Sequence, residues 1–235
     1  MTLRRSHGGR TAKAVLLLHG YTHGPRQVER LAGLFYERGC NVYAPAAPGH
    51  GTPDATHRGF TSRELLRYAG DALDVTATLG DEVGVVGVSA GAALATWLGA
   101  SRGDTVARLL LITPLFAPRR RVPWPLTTLY GRRLLPDHVD ARGYSFTAVA
   151  QYLRVAASLP KRPVVGALRR VAVVTSPGDT VIDAARAVAV PRRLAEAAGA
   201  AFTHHELPEG EGHAHNVIGA HAEALDELYA DLYGA

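Results

Sequence analysis

Five short segments of the chain are apolar with little or no interruption, and the stretches between most of them carry apolar residues at helical spacing. The first, residues 14–18, reads Ala-Val-Leu-Leu-Leu. With no polar face, it predicts a strand covered on both sides in a parallel sheet. After the glycine-bearing loop 19–24, Pro25 suits the first turn of a helix, and Val28, Leu31, Leu34 and Phe35 keep its period until Gly39 ends it. A strand over 41–46 follows and stops at a run of proline, glycine and histidine, residues 48–53. Residues 61–79 predict a second helix, capped by Thr61 or Ser62, with Leu65, Leu66, Ala69 and Leu73 on one face. A strand at 83–86, an alanine-rich helix from Ala90 to about Gly99 and a strand at 109–113 come next. After a break, the alternation returns as strand 171–175, helix 184–198, strand 202–207 and helix 221–233. Residues 1–11 are polar and read as a loose lead-in. Strands alternating with helices predict an α/β fold: a doubly wound, mostly parallel sheet with helices on both faces.

The break, residues 114–165, holds seven prolines, and only 146–159 within it has a convincing helical period. It reads as an insertion within one domain spanning 1–235, placed after a strand at the sheet edge where a cap or lid would sit. Its apolar residues Leu115, Phe116 and Trp124 either line a substrate pocket or pack the insertion onto the body; the sequence leaves both readings open.

Composition narrows the class. Hydrophobic residues make up 47% and charged residues 20%, enough for a substantial core. The net charge of +5 comes mainly from scattered arginines. The clusters Arg4-Arg5 and Arg119-Arg120-Arg121 lack the interleaved aromatics of a nucleic-acid groove, so no nucleic-acid partner is expected. No apolar run is long enough to span a bilayer, and 14–18 is too short for the core of a secretion signal. The single cysteine, Cys40, reads as a small half-buried residue, and together these features lead us to expect a cytoplasmic setting.

The chemistry centres on Gly87-Val88-Ser89-Ala90-Gly91, between a buried strand and a helix. A serine at the apex of such a turn is held clear of the sheet in strained dihedrals, and side chains at 87 and 91 would strike the adjoining strand and helix. A free serine hydroxyl is a poor nucleophile and needs a histidine to take its proton and a carboxylate to orient that histidine. In an open sheet such residues lie beyond the carboxyl ends of later strands. Asp179 follows strand 171–175, with Asp183 the predicted cap of the next helix, and His213 and His215 follow strand 202–207. The residues therefore offer Ser89 as the nucleophile, Asp179 as the acid and His213 or His215 as the base. His19 and His50 read as loop-holding residues, and no metal site or cofactor is expected.

Five stretches carry a family resemblance: 16–22 (LLLHGYT), 44–52 (APAAPGHGT), 87–91 (GVSAG), 175–183 (TSPGDTVID) and 212–218 (GHAHNVI). In this order, on these elements, the chain resembles the α/β-hydrolase superfamily, and within it small carboxylesterases and monoacylglycerol-lipase-like serine hydrolases. The resemblance favours His215, which is followed by Asn-Val-Ile, as the base, with His213 as the alternative, and implies an oxyanion hole made by the backbone N–H groups of Tyr21 and Ala90. It also implies a small-molecule ester substrate cleaved through an acyl-enzyme, and the Trp- and Pro-rich insertion points to small or medium acyl groups. The same triad acting on a thioester, amide or carbon–carbon bond, and a non-catalytic ligand-binding protein on the same fold, are the competing expectations.

Overall fold

The computed structural model describes residues 2–50, 58–120, 122–141, 143–209, 214–219 and 223–235. Seven strands form one sheet: β1 (Leu3–Arg5), β2 (Thr11–Leu18), β3 (Asn41–Ala44), β4 (Gly80–Val88), β5 (Val106–Ile112), β6 (Arg170–Thr175) and β7 (Ala201–Glu206). Their order across the sheet is β1-β3-β2-β4-β5-β6-β7, with β1 antiparallel to β3 and every other pair parallel. The helices are α1 (Glu29–Glu37), α2 (Ser62–Ala77), α3 (Ala90–Ser101), α4 (Trp124–Gly131), α5 (Phe146–Ala157), α6 (Ala184–Ala198) and α7 (Asp226–Tyr233).

The unbroken apolar runs are explained by the two cores. Alternate strand residues Leu16, Leu18, Val85, Leu109, Leu111 and Val173 face the core built with α2, α3, α5 and α6. Their neighbours Val15, Leu17, Val86, Leu110, Ile112 and Val174 face the core built with α1 and α7. Because these central strands are buried on both sides, the period-2 alternation that marks a half-exposed strand is absent. Helix α3, buried nearly all round, has no polar stripe for the same reason.

Several elements differ from the sequence expectation. The polar lead-in contains β1, whose three residues pair with Ala44, Tyr43 and Val42, and β2 begins at Thr11. The helix expected from Pro25 starts as a 3-10 turn, Pro25–Val28, before α1. Strand β3 ends at Ala44, and α7 begins at Asp226 after a 3-10 turn at Glu223–Leu225. Helix α4 lies within 114–165, over a stretch where no helix was expected, whereas α5 matches the predicted 146–159, and Cys40 is fully buried. His204 and His205 are both half-buried on β7, an edge strand. Thr61 is the cap of α2: its side chain accepts from the Glu64 N–H while Glu64 reaches back to the Thr61 N–H.

At the opening of β4, Glu82 bridges Arg108 of β5 and Arg169, the residue before β6, at 2.5 Å to each. Burial pushes the Glu82 carboxyl up, but the two arginines more than offset it and leave it below the usual range. A carboxylate whose folded pKa is depressed contributes stability above its unfolded pKa, and loses it as pH falls through the folded value. Glu82→Gln is expected to cost about 0.5–1 kcal/mol at neutral pH, the site being partly open to solvent, and less as the acid limb is approached. Urea unfolding of both proteins at pH 7 and pH 3 checks this. Among the described residues no helix is long and apolar enough to cross a membrane.

Candidate active site

Four loops meet at the carboxyl ends of the parallel strands, after β2, β4, β6 and β7. Ser89 stands between β4 and α3 with φ 53° and ψ −113°, a left-handed conformation that costs a non-glycine residue on the order of 1–3 kcal/mol. Hydrogen bonds hold it there: its N–H donates to the Ile112 carbonyl at 2.9 Å, and its carbonyl accepts from Leu115 N–H at 3.0 Å and Ala92 N–H at 3.1 Å. The flanking glycines are steric requirements. A Cβ on Gly87 would stand 2.5 Å from Ala92 Cα, and one on Gly91 would overlap the Leu18 carbonyl oxygen at the end of β2. Since both obstacles are backbone, Gly91→Ala is expected to destabilise the fold by about 1–3 kcal/mol, measurable by urea titration.

The candidate acid lies in the turn after β6. Asp179 is buried, and its Oδ1 accepts from the N–H groups of Val181 at 2.7 Å and Ile182 at 3.3 Å. Its Oδ2 lies 2.7 Å from Nδ1 of His215. The carboxylate can only accept, so it fixes the proton on Nδ1 and leaves Nε2 with its lone pair. That Nε2 lies 2.7 Å from Ser89 Oγ. Asp183 is absent from this chain of contacts; it caps α6, accepting from Arg186 N–H at 2.9 Å. His213 lies outside the described residues.

On the β2 side, Gly20 and Tyr21 approach the same point, and a Cβ built on Gly20 would be 3.6 Å from Ser89 Cβ. His19 Nε2 accepts from Ala47 N–H at 3.0 Å, which places the ring proton on Nδ1, and Nδ1 donates to the Gly20 carbonyl at 2.9 Å. A trans peptide is planar, so pinning the Gly20 carbonyl turns the Tyr21 N–H the opposite way. Among the described residues neither Tyr21 N–H nor Ala90 N–H donates a hydrogen bond. His50 contacts the Tyr21 carbonyl through Nε2 and the Pro48 carbonyl through Nδ1 at 2.8 Å, so it braces the same loop.

A family model described as the Alpha/beta hydrolase family matches residues 15–228. The chain belongs to that family. Solved structures of similar fold include one reported with LipS and LipT, metagenome-derived lipolytic enzymes. That match is 19% identical with TM-score 0.77, covering 99% of this chain and 96% of the other. The monoacylglycerol lipase of Paleococcus ferrophilus is 16% identical with TM-score 0.73, covering 100% and 99%. Est1E of Butyrivibrio proteoclasticus with bound ferulic acid is 16% identical with TM-score 0.73, covering 98% and 92%. At these identities the likeness is one of fold. No curated protein matches the chain in sequence.

In this α/β hydrolase, Leu115 and Phe116 are both buried, and Leu115 is tied to the Ser89 carbonyl through its own N–H. Trp124 opens α4, and its side chain falls outside what the structure describes. Arg121 is likewise outside the described residues, whereas Arg119 donates to the Asp179 carbonyl at 2.8 Å and so holds the Asp179 turn. Residues 117–119 and 181–183 pair across that turn, through Arg119 N–H to the Val181 carbonyl and Asp183 N–H to the Ala117 carbonyl, both at 2.9 Å. Sequence reasoning missed a further support, Thr113. It is fully buried just past β5 with φ 45°, and its hydroxyl donates to the His215 carbonyl at 3.1 Å. A threonine closing an apolar strand carries no signal of such a role; its position opposite a late loop is visible only in the fold. Burial, with help from the nearby His215 and His50, lowers the pKa of His23.

Proposed function

We propose that the protein is a serine esterase that cleaves carboxylic esters of small to medium acyl chain through an acyl-enzyme. The observation that carries this reading is the unbroken chain from Ser89 Oγ to His215 Nε2 and from His215 Nδ1 to Asp179 Oδ2, each 2.7 Å long. In the first step Ser89 Oγ attacks the ester carbonyl carbon while its proton passes to His215 Nε2. The negative charge that develops on the carbonyl oxygen is met by the N–H groups of Tyr21 and Ala90, and the N-terminal end of α3 adds its partial positive charge. His215 then returns the proton to the leaving alkoxide, and the carbon–oxygen bond breaks. Water, deprotonated by the same histidine, attacks the acyl-enzyme and frees the acid.

The ester preference is supported by the company the fold keeps: lipolytic enzymes, a monoacylglycerol lipase and an esterase with ferulic acid bound. Buried Leu115 and Phe116 supply apolar material beside the nucleophile for a small or medium acyl group. Residues 114–165 act in this reading as a cap. The link is direct, since Ser145, the N-cap of α5, donates its N–H to the Tyr21 hydroxyl at 3.1 Å. Its own hydroxyl is anchored on Asp137 at 2.8 Å. The reading is tested by labelling with a fluorophosphonate and by hydrolysis of p-nitrophenyl esters of graded chain length, alongside matched thioester and amide substrates. Labelling together with ester rates above the thioester and amide rates supports it. A protein that neither labels nor turns over an ester overturns it in favour of a binding role.

A further inference from the structure

The loop that carries Tyr21 has a second holder, on the side opposite His19. Gly20 donates its N–H to Oε1 of Gln27 at 2.7 Å, and Nε2 of the same side chain donates to Oδ1 of Asn216 at 3.5 Å. Asn216 is the residue immediately after His215. One planar amide therefore spans the two loops that must act together, the one that holds the oxyanion donor and the one that holds the base. Gln27 is itself firmly placed. It sits in the Pro25–Val28 turn between two buried residues, and its N–H donates to the Gly24 carbonyl at 2.9 Å. The absence of a side chain on Gly20 lets the amide lie against it: a Cβ there would stand 3.2 Å from Oε1 and 3.4 Å from Nε2 of Gln27.

We propose that Gln27 is a positioning residue for the oxyanion hole, coupling that hole to the histidine loop; the proposal rests on the esterase reading above. Glycine is the residue least able to hold its own backbone angles, and Gly20 has its N–H fixed by Gln27 and its carbonyl fixed by His19. A donor aimed before charge develops needs no reorganisation during the reaction, so Gln27 acts on the transition state and not on substrate binding. Through Asn216 the same side chain keeps the Ser89–His215 contact in step with the hole.

The test uses the full chain and three variants, Gln27→Met, Asn216→Ala and the double variant. Methionine keeps the length and removes both hydrogen bonds. Gln27 and Asn216 both border an open cleft of about 630 Å³, so neither change is forced against packed atoms. The readouts are kcat and KM for a p-nitrophenyl ester, the Ki of an alkyl trifluoromethyl ketone, and the thermal midpoint. The ketone is read because its adduct carries the oxyanion. Gln27→Met is expected to lower kcat roughly tenfold and weaken the ketone by the same factor, with KM within about twofold and the midpoint nearly unchanged. The loss is less than the 10²–10³ of a deleted donor because the donor is misaimed, not removed. Asn216→Ala is expected to give a smaller loss, and the double variant to fall no lower than Gln27→Met alone, as coupled contacts do. A Gln27→Met protein with the parent's kcat and Ki overturns this proposal and leaves the esterase reading intact. So does one whose loss appears in KM and midpoint alone. A parent that shows neither turnover nor ketone binding overturns both.

Discussion

A Ser89→Ala protein is expected to lose fluorophosphonate labelling altogether and to retain no more than roughly 10⁻⁴ of the parent's ester kcat, while its thermal midpoint stays the same or rises. The two halves of the expectation have separate causes. In the proposed mechanism the hydroxyl forms the acyl bond, and no neighbour can replace it: among the described side chains, the atoms at the centre of the site are the imidazole and the buried carboxylate. The backbone of Ser89 is set by bonds from its own N–H and carbonyl to Ile112, Leu115 and Ala92, none of which involves the hydroxyl. Alanine therefore takes up the same strained turn with one less polar atom to bury, and stability is kept. An alanine protein that hydrolyses p-nitrophenyl esters at the parent's rate removes the acyl-enzyme mechanism. One that loses activity together with several degrees of midpoint places Ser89 among the residues that hold the turn.

The fold was legible where its physics is two-sided. Strands β2, β4, β5 and β6 stand out as unbroken apolar runs because helices cover both faces of the sheet, and Ser89 stands out because backbone crowding leaves only glycine at 87 and 91. What the sequence hid falls into two groups. Strand β1 is a three-residue edge strand with only Leu3 apolar, held by ladder bonds to β3 rather than by burial, so no pattern announces it. Helix α4 lacks an apolar stripe and has prolines at its start, which read as a break. The second group is the supporting cast of the site. Gln27, Thr113 and Arg119 act on the backbone N–H and carbonyl groups of Gly20, His215 and Asp179, contacts that span 7, 102 and 60 residues of chain. Backbone groups are present at every residue, so these partners become visible only once the loops have been brought together.

The histidine that the sequence left open is decided by a paired comparison. His215→Ala is expected to lower kcat by roughly 10⁴-fold or more and to slow fluorophosphonate labelling in parallel, while His213→Ala keeps activity within a few-fold of the parent. The argument is one of position: His215 touches the serine and the carboxylate at once, at 2.7 Å each, and a single ring cannot share those two partners with a second base. Asp179→Asn sharpens the test. The amide keeps the shape of the carboxylate, and its oxygen still accepts from Val181 N–H, but an NH₂ group now faces Nδ1. An NH₂ donor stabilises the tautomer with its proton on Nε2, which turns a donor toward Ser89 Oγ and removes the base. The expected loss is again about 10⁴-fold in kcat near neutral pH, with the fold intact, and part of it is recovered at high pH where hydroxide replaces the histidine. Full activity in Asp179→Asn contradicts this account of the tautomer. Loss in His213→Ala with activity kept in His215→Ala transfers the base two residues upstream and leaves the Ser89–His215 contact without a catalytic role.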